Sequence, residues 1–326
     1  DRSVSRGLGD VYKRQIQTIP VLIGISIIVF ALVNLQPGDP FSTMMDPNLS
    51  LEMKEQMLER LGYNDPLPVQ YFKWLIRALH GDFGYSIAFK QPVVSVIGSC
   101  IGNTVILSIC SLILSIAIAI PCGVISATHQ RNKIDYIVTV FAFMGLSIPA
   151  FFFGMLLIKI FSVELGWLPI SGMVTIGMSY SGWAQIFDIA KHMILPMIVL
   201  GLMNTASLMR YTRSDMIEIL KADYIRTAKA KGVKRKAIIY VHALKNELLP
   251  LITVVTMQIP SLISGALLTE TIFVWPGIGR LNYNAVMARD YPLIIGIVMM
   301  VAVISLFANL LADVLYSVVD KRVKYD

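Results

Sequence analysis

Hydrophobic residues fall in six long runs separated by polar stretches. A helix needs about 20 apolar residues to cross the hydrocarbon core of a bilayer. Residues 16–35, 105–128, 134–161, 193–209, 248–268 and 293–314 reach or approach that length. The pattern predicts an all-α membrane protein with six transmembrane helices. Pro121, Pro149, Pro196 and Pro260 fall inside four of the runs. Proline breaks helices in water, but membrane helices carry it because their surroundings re-satisfy the freed backbone groups.

The polar stretches hold helices of their own. Residues 36–100 are too polar to span and open with a turn-rich QPGDP at 36–40. Ser50 can cap a helix that ends at Leu61, with Gly62 as its stop and Leu51, Leu58 and Leu61 on one face. A second helix over 68–79 places Val69, Phe72, Ile76 and Leu79 at helical spacing. This segment reads as a small cap packed on the spans or as a docking surface for a delivery protein. Between the fourth and fifth runs, residues 210–247 are basic. Ser214 can cap a helix there, with Asp215 in its first turn, running to a stop at Gly232. A short helix over 234–244 then leads into the fifth run. Within this loop Thr227, Ala228 and Ala230 alternate with long basic side chains. Such a surface suits close docking on an acidic partner, or a solvated helix at the anionic inner leaflet.

Composition supports the membrane reading. Hydrophobic residues make up 56% of the 326 residues and charged residues 15%, against roughly a quarter charged in soluble chains. The net charge of +7 is explained by topology. Arg2, Arg6, Lys13 and Arg14, then Arg131 and Lys133, then the 210–247 loop, then Lys321, Arg322 and Lys324 all fall on one side of the six runs. That is the positive-inside pattern, with both termini cytoplasmic. A nucleic-acid partner is not needed to account for it. The chain divides into a polar tail at 1–15, a first span at 16–35, an extracytoplasmic segment at 36–100 and a core at 101–326. The tail (DRSVSRGLGDVYKRQ) reads as native cytoplasmic chain or as a non-native extension.

Candidate chemistry is sparse. There is no GxxxxGK[ST] phosphate loop, no GxSxG, no HExxH and no paired-cysteine metal motif. Cys100, Cys110 and Cys122 read as small hydrophobes, and the four histidines are scattered. The runs carry few acids, with Asp135 and Asp313 at their cytoplasmic ends, so no ion-coupling site stands out. No catalytic residue, metal ligand or bound cofactor is expected. Uphill transport by this chain would draw its energy from a partner.

The segment DYIRTAKAKG (residues 223–232), with Leu249 and Pro250 after it, resembles the coupling loop of ABC-transporter permease subunits. Its form is similar to that of the dipeptide, oligopeptide and nickel uptake branch. QPGDP at 36–40, GDFGYS at 81–86, Asn103 with Thr104, SIPAFF at 147–152, ETIFVWPGIGRL at 270–281 and RDYP at 289–292 are similar to that branch too. The resemblance covers residues 16–326.

That resemblance implies a type I importer permease fold in a bacterial or archaeal cell membrane. It implies a second homologous permease, two cytoplasmic ATPases that hold the ATP and magnesium, an extracytoplasmic binding protein, and surrounding lipid. The coupling helix would be residues 222–231. Asp223, Tyr224, Arg226, Thr227, Ala228, Ala230, Lys231 and Gly232 form the coupling loop, with Thr227, Ala228 and Gly232 nearest the ATPase. Glu270, Trp275, Pro276 and Gly277 form an interfacial anchor, with Trp275 at headgroup level, or part of an outer gate or binding-protein contact. Peptides are the expected cargo, with nickel complexes or glutathione as alternatives in the same branch. An ATP-independent carrier or channel is the alternative from another class.

Overall fold

The computed structural model describes residues 20–35, 65–258 and 266–319. The tail at 1–15, QPGDP at 36–40, the helix expected after Ser50 and Pro260 lie outside these. The described chain is helical apart from one small hairpin, the irregular stretch 165–182 and the short turns between helices. In order it contains α1 (Pro20–Asn34) and α2 (Leu67–Leu79), then strands β1 (Tyr85–Ser86) and β2 (Gln91–Pro92). Helix α3 (Val93–Thr128) follows, then α4 (Lys133–Ser147), then α5 (Ala150–Leu157), whose last turns widen over Ile158–Glu164. Next come α6 (Trp183–Ile219), α7 (Asp223–Ala230) and α8 (Arg235–Ala237), which runs through a widened Ile238–Ala243 into α9 (Leu244–Met257). The chain closes with α10 (Leu267–Ile272), α11 (Ile278–Met287) and α12 (Tyr291–Val319).

Among the described residues three helices are long and apolar enough to cross a membrane: Val93–Thr128, Trp183–Ile219 and Tyr291–Leu310. A bent pair, Arg235–Leu248 with Pro250–Thr256, makes a fourth if counted as one span. At about 1.5 Å per residue, the 36 residues of α3 and the 37 of α6 extend roughly 55 Å, well beyond a hydrocarbon core of about 30 Å. Both helices therefore project past the apolar runs that announced them.

Several expectations need correction. The second helix starts at Val93 rather than 105, because the mixed small and polar residues at 93–104 dilute the apolar signal without breaking a helix. Pro149 does not sit inside a continuous third helix: α4 ends at Ser147, and Pro149 precedes α5 with extended backbone. Ser214 caps nothing. Helix α6 continues unbroken through it to Ile219, so the loop helix begins later, at Asp223. On α2 the expected face is reversed: Tyr71 and Trp74 are buried, whereas Val69, Phe72, Ile76 and Leu79 are exposed. The two aromatics pack around Phe30 of α1, and the Tyr71 hydroxyl lies 2.8 Å from that of Ser26.

The centre of the bundle is the contact of α3 with α6. Thr104, Ser108, Ser111, Ser115, Ala119, Gly123 and Ser126 are all buried and recur every three or four residues. Small residues at that spacing let helix backbones approach closely inside a membrane. The fit has no slack. A Cβ on Gly123 would lie 2.6 Å from Cγ2 of Thr212, and one on Gly201 would lie 3.0 Å from Cδ2 of Leu114.

Two further clusters cap the bundle. At the hairpin end, α1, α2, the start of α3, α11 and the start of α12 share a core that includes Phe30, Trp74, Ile97, Ile278 and Ile297. At the opposite, basic end, Val124 and Ala127 of α3 meet Met216 of α6, Ile225 of α7 and the widened segment at Ile238 and Ala243.

Candidate functional site

The basic end carries a short helix on a fixed mount. Asp223 opens α7 with an acid at the positive dipole end, and Lys229 lies in its last turn. Lys231 donates its backbone N–H to the Thr227 carbonyl, and Gly232 then turns the chain at φ +74°. That left-handed conformation suits glycine, so the stop read at Gly232 is where the structure places it. Ile225 is the anchor. It is 0% exposed, and it inserts between the ends of α3 and α6 and the widened turn.

The anchor decides which residues face outward. Asp223, Tyr224, Arg226, Thr227, Ala230, Lys231 and Gly232 are exposed. Ala228 lies three residues from Ile225 on the same face and packs, half-buried, against the inner cluster. The helix thus offers a basic and small-residue surface while its apolar side is tied to the bundle. Ile225 was absent from the residues picked out by sequence. The available signal was a single aliphatic position between polar neighbours in an eight-residue helix.

Beside this mount lies an ion pair. Asp135, near the start of α4, is 5% exposed. Arg213 of α6 donates to both its oxygens, Nε to Oδ1 and Nη2 to Oδ2, each at 3.0 Å. The Ser126 hydroxyl of α3 also donates to Asp135, and the backbone N–H of Arg131 in the α3–α4 turn donates at 3.0 Å. One carboxylate therefore gathers three helices and a turn. A bidentate arginine fixes geometry as well as charge.

The hairpin end holds the second candidate constellation. The Glu270 carboxylate is 1% exposed. It accepts from the Thr104 hydroxyl at 2.9 Å and from the backbone N–H of Arg280 at 3.1 Å. The Thr104 oxygen in turn accepts from the Ile278 N–H at 2.7 Å. Trp275 is 0% exposed and donates its indole N–H to the Asn103 carbonyl, while the Asn103 amide donates to the Pro276 carbonyl, each at 2.9 Å. Trp275 is therefore an internal peg and not a headgroup-level anchor, because its ring and its single donor are both satisfied inside the fold. Gly277 and Gly279 are buried against the Glu270 carboxylate, and a Cβ on Gly279 would also lie 2.7 Å from Cα of Leu267. Pro276 is half-buried.

A neighbouring clamp joins two more of the segments singled out by sequence. Asp290 caps α12 by accepting from the Leu293 N–H at 3.2 Å. Its other oxygen accepts from the Ser86 hydroxyl at 2.5 Å and from the Ala88 N–H at 2.9 Å. Segments 166 and 204 residues apart thus meet in pairs. Among the described residues no group of His, Cys, Asp or Glu is arranged to hold a metal. The three cysteines are free and half-buried.

Known proteins share this chain's sequence and fold. Residues 119–325 match the family described as binding-protein-dependent transport system inner membrane component, and residues 8–108 match that family's N-terminal membrane component. The oligopeptide transport system permease protein AppB of Bacillus subtilis is 45% identical over 97% of this chain and 99% of its own length. The dipeptide transport system permease protein DppB of Escherichia coli is 38% identical over 97% and 98%. In an inward-facing structure of the MetNI methionine ABC transporter, one chain shares the fold with a TM-score of 0.56 at 14% identity. That match covers 70% of this chain and 97% of that one. This chain belongs to the family of binding-protein-dependent transport system inner membrane components.

Proposed function

We propose that this chain is the permease subunit of an ATP-driven peptide importer. It would form half of the pathway across the cell membrane and couple to separate ATPases through α7. The observation that carries the reading is the mounting of α7, a short basic helix whose apolar side is plugged into the bundle by Ile225 while its polar side faces outward. A helix held this way moves as one body with the ends of α3 and α6, which is what a coupling element requires. Peptide cargo is supported by the relatives, which are named for oligopeptide and dipeptide transport.

The assembly follows from the same reading. α1, α3, α4 with α5, α6, the bent α8–α9 unit and α12 serve as six spans, with the basic end and both termini in the cytoplasm. Tyr224, Arg226, Thr227, Ala230, Lys231 and Gly232 meet an ATPase, and ATP with magnesium is held there and not by this chain. A second permease completes the pathway. A binding protein docks at the hairpin end, where the knot of Glu270, Trp275, Pro276 and Gly277 forms the rigid floor beneath it. Lipid covers the exposed apolar side of α1.

The test is reconstitution of this chain with its companion permease, ATPases and binding protein in sealed vesicles. Di- or oligopeptide loaded on the binding protein is expected to raise ATP hydrolysis and to accumulate inside. Stable assembly with ATPases but stimulation only by a non-peptide cargo would overturn the peptide assignment. Absence of any ATPase from the purified complex would overturn the importer reading.

A further inference from the structure

Helix α4 is attached to the rest of the bundle in an unusual way. Ile134, Tyr136, Ile137, Val140 and Phe141 are all exposed, between 42% and 68%. Its first turn is held by one buried side chain, Asp135. Its other end is interrupted at Pro149, which separates it from α5. Beside it, against α3, α5 and α6, is a partly open apolar cavity of about 290 Å³ lined by Ile137, Val138, Phe141 and Ala142 of α4, with Phe153 and Leu202 among others. A helix with a joint at each end and an open cavity along its side has room to move.

The joint at Asp135 leads directly to the coupling helix. Its partner Arg213 is on α6. Three residues on, and so on nearly the same face of that continuous helix, Met216 is fully buried against Ile225 of α7. The chain of contact is α7 to Met216, one turn of rigid helix to Arg213, then two charge-assisted bonds to α4. Two bonds to a planar guanidinium transmit rotation as well as translation, which a single hydrogen bond does not.

We infer that Asp135 and Arg213 are positioning residues that carry the movement of α7 to α4, and that α4 swings between this joint and the break at Pro149 as the importer switches state. The inference rests on the coupling role proposed for α7. Each acts through the other.

The experiment uses the whole reconstituted transporter and reads the ratio of ATP hydrolysis with loaded binding protein to hydrolysis without it. Asp135→Asn and Arg213→Gln are each expected to lower that ratio about fivefold or more while the complex still assembles and hydrolyses ATP at its basal rate. Combining them is expected to cost no more than either alone, since residues acting through one contact are not additive. Arg213→Lys keeps the charge and loses the fork, so it should still lower the ratio; it serves if the neutral variants assemble poorly. An unchanged ratio in assembled single variants, or a double variant whose loss is the product of the singles, overturns the inference. A parent transporter that shows no stimulation counts instead against the importer reading.

Discussion

The two ends of this bundle solve the same problem with different chemistry. At the hairpin end the buried Glu270 is satisfied by a hydroxyl and a backbone N–H, and Asp290 by a hydroxyl and the N–H groups of Ala88 and Leu293. At the basic end the buried Asp135 likewise accepts a hydroxyl, from Ser126, and a backbone N–H, from Arg131, but it adds two bonds from the Arg213 guanidinium. Backbone donors cannot leave without unfolding a segment, so the hairpin-end knots can only be made or broken. An arginine on a neighbouring helix can travel with that helix. The first arrangement builds a fixed scaffold and the second a joint. Glycine follows the same division. Gly277 and Gly279 are buried against a carboxylate at the fixed end, whereas Gly232 has nothing within 4 Å of where its Cβ would be and only sets a turn.

The largest effect separating the ends should come from Glu270→Ala. It removes both bonds to the carboxylate and leaves the half-buried Arg280 N–H without its partner. Losing hydrogen bonds to a charged group costs about 1.5–3 kcal/mol each, so a total of about 3–6 kcal/mol is expected for the two, read as a lower unfolding temperature of the purified complex. ATPase subunits that still copurify from cells grown at low temperature would show that the damage is confined to the hairpin end. If the unfolding temperature does not move, the knot is not a scaffold.

Ile225→Ala should do less to the whole and more to the coupling. Truncating a buried isoleucine costs about 2–5 kcal/mol, and the lower figure fits a short helix that can settle into the gap. The unfolding temperature should fall by less than in Glu270→Ala, while peptide-stimulated hydrolysis and uptake fall together. A variant with normal uptake would mean that α7 does not work through its plug, and the contrast between a fixed and a moving end would lose its basis.

How much of this was legible depends on the range of the interaction. The loop helix and its stop could be read because Asp223, the small residues and Gly232 act within ten positions of one another. Likewise the segments around Thr104, Glu270, Ser86 and Asp290 stood out one by one, but nothing in the order of residues says that Thr104 meets Glu270 and Ser86 meets Asp290. The pairing of Asp135 with Arg213 spans 78 positions and was invisible for the same reason. The start expected at Ser214 failed for a different cause. A serine can cap a helix only if the preceding turn is not already helical, and here α6 carries straight through it. Trp275 was misplaced because aromatic residues at bilayer interfaces and aromatic pegs inside a fold look identical in sequence.

The smallest effect should be a gain. Val274 sits at φ +55°, beside Trp275, in a region that β-branched residues rarely occupy. Arg280 holds it there by donating from Nη1 to the Val274 carbonyl at 2.9 Å, and the following Trp275 N–H is bonded to the Glu270 carbonyl at 2.8 Å. The left-handed conformation costs an ordinary residue about 1–2 kcal/mol. Asparagine enters it far more readily, and the valine side chain is 37% exposed, so little packing is lost. Val274→Asn is therefore expected to stabilise the complex by about 0.5–1 kcal/mol, seen as a small rise in unfolding temperature with stimulated hydrolysis unchanged. That result would mean the hairpin end holds its shape against strain through hydrogen bonds alone, as a scaffold does. A rise in stability accompanied by a loss of stimulated hydrolysis would mean instead that the strain is used in switching, and the fixed end would have to be counted among the moving parts.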